Sequence, residues 1–218
     1  MIHTKSKPIL YPFLFLSTAL SQAGTMGPSK HPLYVGIIGG FGSTTWQGLV
    51  PNKKNQNVAL NMSTPINAKE GGAAWGALVG YEFSPYFAIE ANYMRYPDSI
   101  IYFDEFSLFS FTHDGETSFK TKTDSISLMG KIMLLIPNSN FKIYSSAGAT
   151  NLYRKDMIVD DWRVSPTFGV GVIYNFTEHF MGELAGSYTT GFGESLLSPA
   201  DTYFPFLYSI TAHIAYRF

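Results

Sequence analysis

The chain ends in FLYSITAHIAYRF (206–218), and every second residue read back from the end, Phe218, Tyr216, Ile214, Ala212, Ile210, Tyr208 and Phe206, is apolar or aromatic. The residues between them, Arg217, Ala215, His213, Thr211 and Ser209, are polar or small. Side chains alternate across a β-strand with a period of two, so one face of this strand suits hydrocarbon and the other a hydrated interior. This pattern, closed by an aromatic residue, predicts the last strand of an outer-membrane β-barrel, with Tyr208, Ile210, Ile214, Tyr216 and Phe218 as its membrane face and C-terminal signal.

The same alternation recurs upstream. Phe87, Ile89, Ala91 and Tyr93 alternate with Ala88, Glu90, Asn92 and Met94, and Ile126, Leu128, Gly130, Ile132 and Leu134 with Ser125, Ser127, Met129, Lys131 and Met133. Phe168, Val170, Val172 and Tyr174 alternate with the small Thr167, Gly169 and Gly171. The pattern predicts eight strands at about 33–42, 73–83, 86–96, 119–135, 141–153, 164–175, 180–190 and 206–218. The fold class is all-β, an eight-stranded antiparallel up-and-down transmembrane barrel. Small inward residues suit that strand number, whose interior holds side chains and little else. A lipocalin-like soluble barrel would put its aliphatic face inside, whereas here the charges fall on the face opposite the aliphatic residues.

Connections at 84–85, 136–140 and 176–179 are short, and those at 43–72, 97–118, 154–163 and 191–205 are longer. Barrels of this class turn tightly on the periplasmic side and loop out on the other, which places both termini in the periplasm. Two aromatic girdles are expected. Phe83, Tyr86, Phe141, Tyr174, Phe176, Phe180, Tyr216 and Phe218 flank the short turns, and Trp46, Trp75, Tyr96, Tyr153, Trp162, Tyr188 and Phe206 the longer loops.

The first residues read as a signal peptide. Lys5 and Lys7 precede an apolar run from Ile9 to Leu20, and Ser21-Gln22-Ala23 offers a small-residue cleavage site. The expected domains are a signal peptide at 1–23, a periplasmic lead at 24–32 and a barrel at 33–218. Cleavage takes net charge from −1 to −3, since thirteen Lys and Arg then stand against sixteen Asp and Glu; so mild a balance argues against nucleic-acid binding. Cysteine is absent, which excludes disulfides and thiolate chemistry. His31, His113, His179 and His213 show no metal-ligand spacing and scatter among the lead, a loop, a turn and the last strand. No nucleophile and base fall together, so neither metal, cofactor nor enzymatic activity is expected.

Several stretches carry a resemblance: GYEFSPYFAIEANY (80–93), with its G-Y-x-x-x-P-Y-x-x-x-E pattern, ISLMGKIMLLIP (126–137), FKIYSSAG (141–148), SPTFGVGVIY (165–174) and AYRF (215–218). In this order and spacing they resemble the transmembrane domain of OmpA-type outer-membrane proteins. Members of that family typically continue into a peptidoglycan-binding domain; here the resemblance covers the transmembrane domain only, and neither that further domain nor a cell-wall tether is expected. The resemblance matches Glu90 and Lys131 to acidic and basic lumen positions and sets Glu183 where the family tends to have a basic residue, so the usual set of ion pairs is altered. A Lys131–Glu183 pair with Glu90 nearby reads as a structural plug, or alternatively as a gate.

The loop SIIYFDEFSLFSFTHDGE (99–116) is unusually aromatic, which points to a projecting ribbon that buries Tyr102, Phe106, Phe109 or Phe111, or to a contact patch. Basic residues gather toward the long-loop end at Lys53, Lys54, Lys69, Arg95, Lys120, Lys122, Arg154, Lys155 and Arg163. Of these, Arg95, Lys120, Lys122, Arg154, Lys155 and Arg163 are candidate contacts to lipopolysaccharide phosphates. The partners expected are outer-membrane lipid and lipopolysaccharide, the barrel-assembly machinery through the last strand, and host surface molecules through loops 43–72 and 99–116. The functional expectation is envelope integrity with display of surface loops, the alternatives being a surface adhesin and a narrow gated channel.

Overall fold

The computed structural model describes residues 30–52, 57–193 and 198–218. The expected leader, the lead before Lys30, and Lys53 and Lys54 lie outside the described residues.

Ten strands form one antiparallel sheet: β1 (Leu33–Thr44), β2 (Asn67–Lys69), β3 (Gly72–Ser84), β4 (Phe87–Arg95), β5 (Ser99–Tyr102), β6 (Ser118–Leu135), β7 (Phe141–Lys155), β8 (Asp160–Asn175), β9 (Phe180–Thr189) and β10 (Leu207–Arg217). Eight of them, all but β2 and β5, follow one another round a ring. The ring closes where β1 meets β10, from Tyr34 opposite Arg217 to Thr44 opposite Leu207. Closure leaves no unpaired edge among these eight strands, which is how a barrel satisfies its backbone without an outside partner.

The alternation read from the sequence is kept most regularly on β3, β6 and β10. On β6, Ser125, Ser127, Met129, Lys131 and Met133 are buried, while Ile126, Leu128, Ile132 and Leu134 are exposed on the outer wall. On β10, Ser209, Thr211, His213, Ala215 and Arg217 point in and Tyr208, Ile210, Ile214 and Tyr216 point out. Two of the inward aromatic rings stand directly across from glycines, Tyr34 from Gly80 and Tyr144 from Gly171. A Cβ at either glycine would overlap the tyrosine ring, so these positions make room for rings that cross the interior.

The long-loop end departs from expectation in three ways. β7 and β8 pair as far as Lys155 opposite Asp160, leaving a connection of only 156–159 instead of 154–163. The stacked rings of Tyr153 and Trp162, 4.7 Å apart, and the Lys155–Asp160 ion pair hold this ribbon together. Next, β5 pairs with the start of β6 and β2 with β5, so the two long loops add two short strands to the sheet beyond the ring. Third, Trp46 and Tyr96 are buried rather than in a girdle. Trp46 joins Ile101, Phe103, Phe109, Phe119, Ala200 and Tyr203 in a second core that caps this end. Of the loop aromatics expected to bury one another, only Phe109 does so fully, stacking 3.8 Å from Phe103, while Phe106 and Phe111 are 64% and 74% exposed.

Candidate functional site

The interior is crossed by two tiers of charge. In the first, the Lys131 Nζ on β6 donates to Glu90 Oε2 on β4 at 2.6 Å and to Glu183 on β9 at 2.9 and 3.0 Å. The Tyr34 hydroxyl on β1 donates to Glu90 at 3.0 Å, and the Tyr144 hydroxyl on β7 to Glu183. His213 Nδ1 on β10 lies 3.2 Å from Glu183, near enough for charge pairing but not aligned for a hydrogen bond. Six of the eight barrel strands thus meet at one point. Glu90, Lys131 and Glu183, inferred from alternation alone to face inward, do so and lie in contact, each at most 3% exposed.

The second tier lies nearer the short turns. Glu82 accepts from Arg217 Nη2 at 2.6 Å and from Lys142 Nζ at 3.2 Å. Counting the lysine, arginine and glutamate charges alone, the first tier has a formal charge of −1 and the second +1, opposite in sign. The sequence reading did not single out Glu82, Lys142, Arg217, Tyr34 or Tyr144, and it placed His213 on the inward face without assigning it a partner. Their inward phase was legible; their meeting depends on register between strands far apart in the chain.

Between the first tier and the loop cap lies a cavity of about 40 Å³, lined by residues that include Ser125, Ser127, Ser146, Thr167 and Thr211. A space of this size holds two or three waters, not a solute. The side chains of Glu90, Glu183 and His213 bring possible metal ligands within 4.8 Å of one another, a grouping their sequence spacing did not suggest. The Lys131 ammonium already bridges the two carboxylates, so a cation there would have to displace it.

The basic candidates separate by face. Arg95, Lys120, Lys122 and Lys155 point outward, with Tyr93 and Trp75 close by. Arg154 does not: it is fully buried in the cap, its guanidinium 4.7 Å over Trp46 and bonded to Asp156 at 2.6 Å and to the Ala200 carbonyl at 2.7 Å. Arg163 lies over the Phe204 ring at 5.2 Å, on the cap side of the wall. Alternation continues past the expected strand end and turns Arg154 inward, away from the outer belt, whereas Arg163 keeps a side chain 53% exposed beside Asp161 at 3.5 Å.

The family of outer membrane protein β-barrel domains matches residues 12–218. The chain belongs to that family. Membership, with the closed ring of eight strands, places the protein in the bacterial outer membrane as an OmpA-like barrel. A protein of Coxiella burnetii described as uncharacterized is 26% identical over 207 residues, covering 78% of this chain and 81% of the relative. Two solved barrels share the fold at low identity. Neisserial surface protein A is 14% identical with a TM-score of 0.52, covering 85% of this chain and 97% of that one. OprG from Pseudomonas aeruginosa is 13% identical with a TM-score of 0.51, covering 88% and 99%. The outward rows of this barrel, Ile126, Leu128 and Ile132 among them, are therefore its lipid-facing wall.

Proposed function

We propose that this barrel is a closed, non-enzymatic component of the envelope, exported by a cleaved signal peptide, with its termini and short turns in the periplasm and its long loops outside. Its work is to stabilise the outer membrane and to hold a folded cap at the cell surface. One observation carries this reading: two tiers of paired charge cross the interior, and the cavity between the first tier and the cap has room for only a few waters.

The reading predicts that a deletion strain leaks or becomes detergent-sensitive and that a barrel with 43–72 and 99–116 cut to short turns still rescues it. In planar bilayers the purified protein should show no stable unitary conductance. A conductance that changes in Lys131→Ala would establish the gated-channel reading instead. A second reading, as an adhesin or host-factor binder, is favoured by the exposure of Phe106 and Phe111 on an ordered cap. It predicts that Phe106→Ser with Phe111→Ser abolishes host-surface adhesion while leaving detergent resistance intact.

A further inference from the structure

At the long-loop end the strand register sets one outward row across four seams: Trp75 opposite Arg95, Arg95 opposite Asp124, Asp124 opposite Tyr153, and Tyr153 opposite Trp162. One step nearer the loops, Lys122 stands directly opposite Lys155, and Lys155 opposite Asp160. Arg95 is engaged by Asp124 at 2.9 Å and Asp98 at 2.8 Å, Lys120 by Asp98 at 2.7 Å, and Lys155 by Asp160 at 2.8 Å. Among the described residues, Lys122 has no carboxylate within ion-pair distance.

Like charges placed directly opposite each other destabilise a sheet, so a Lys122–Lys155 pairing calls for an anion beyond Asp160, which engages Lys155 alone. The surroundings are net positive, with Arg95, Lys120, Lys122 and Lys155 against Asp98, Asp124 and Asp160. Asp98 registers this field: burial alone pushes its carboxyl up, yet the hydrogen bond from Lys120 and the charges of Arg95, Lys120 and Lys122 hold it below the usual carboxylate range. Below the lysines come the stacked rings of Tyr153 and Trp162, and below these the outward Ile126, Leu128, Val164 and Phe168. Charge, then aromatic ring, then aliphatic wall is the profile of a phosphorylated lipid read from headgroup to acyl chain.

We propose that Lys122 and Lys155 form a docking site for a phosphate group of an outer-leaflet glycolipid, whose acyl chains lie along Ile126, Leu128 and Val164. The assignment rests on the outward orientation of the long loops proposed above. The test uses native mass spectrometry of the folded barrel in micelles, offered lipid A with its phosphates or the same lipid after phosphatase treatment. Each lysine near a lipid phosphate contributes about fivefold, so two lysines, one of them shared with Asp160, should give the wild type roughly a tenfold preference for the phosphorylated form.

Lys122→Gln with Lys155→Gln should reduce that preference to near one, and Asp160→Asn, which frees Lys155, should raise it. An unchanged preference in the double lysine variant, with gel mobility confirming that it folds, overturns the proposal. So does binding that millimolar inorganic phosphate displaces, or a lysine-dependent capture of heparin in place of lipid. Orientation is read separately, by labelling Glu105→Cys on intact cells with a membrane-impermeant maleimide. Failure there removes the orientation without touching the preference measured in micelles.

Discussion

Replacing Lys131 by Met tests the lumen network most sharply. Methionine nearly preserves the length of the side chain, so the change is chiefly electrostatic. The ligand atoms of Glu90, Glu183 and His213 lie within 4.8 Å of one another. Two carboxylates no more than 4.8 Å apart without the ammonium between them repel by at least about 3.5 kcal/mol at an effective dielectric constant of about 20. Removing one partner of a buried ion pair costs about 3–5 kcal/mol in general, which agrees. The decisive comparison is with Lys131→Met combined with Glu183→Gln. Glutamine keeps an oxygen for Tyr144 but carries no charge, so the second change should recover on the order of 2–3 kcal/mol by cancelling the repulsion. The assay is the folded fraction in lipid vesicles against urea, read from the mobility difference between folded and unfolded barrels on unheated gels. A double variant no more stable than Lys131→Met, or a single variant that loses less than about 1 kcal/mol, would refute the argument, because either result means that water or rearrangement has dispersed the charge.

Other positions separate the cap from the barrel. Arg154→Met removes a buried guanidinium that ties β7 to Asp156 and to the carbonyl of Ala200; limited proteolysis around 199–203 should accelerate while the urea midpoint of the barrel stays unchanged. Gly80→Ala drives a Cβ into the Tyr34 ring, so it should cost about 1–3 kcal/mol by overpacking, whereas Gly39→Ala, which meets nothing within 4 Å, should be neutral by the same gel assay. Asp98 gives a pH test. Its carboxyl is held below its ordinary value, so its stabilisation is fully present above the unfolded carboxylate range near about pH 3.9 and is lost as pH falls through the lower native value. Hydrogen-exchange protection of 96–101 should therefore be flat from about pH 8 to 5 and fall only in acid. Asp98→Asn should remove that acid limb, and a loss of protection already at neutral pH would contradict the assignment.

Alternation with a period of two carried most of the architecture, because in a barrel the same physical boundary, hydrocarbon on one side and packed interior on the other, acts on every residue of every strand. Glu90, Lys131 and Glu183 could be set inside by phase alone. Glu82 and Lys142 carried the same signal, as inward charges within the stretches that showed the resemblance, and Arg217 carried it one residue from the end of the C-terminal signal. Phase gives the face but not the depth, however, and ion pairing is decided by depth. Lys131 reaches Glu90 and Glu183 across 41 and 52 residues of chain, and only the closed register sets the three at one level while placing Glu82, Lys142 and Arg217 at another. Arg154 shows the opposite failure. Assigning it to a loop discarded its phase, although Leu152 and Arg154 share one face of β7 and both are buried. The cap core of Trp46, Phe103, Phe109 and Tyr203 had no periodic signal at all, since it is assembled from three connections whose contacts are purely tertiary. It follows that a charged residue on the inward phase near a barrel strand's end is better read as still inside until its register neighbours show otherwise. Ending the strand early costs little backbone pairing, but it turns a buried, partnered ion into a surface one.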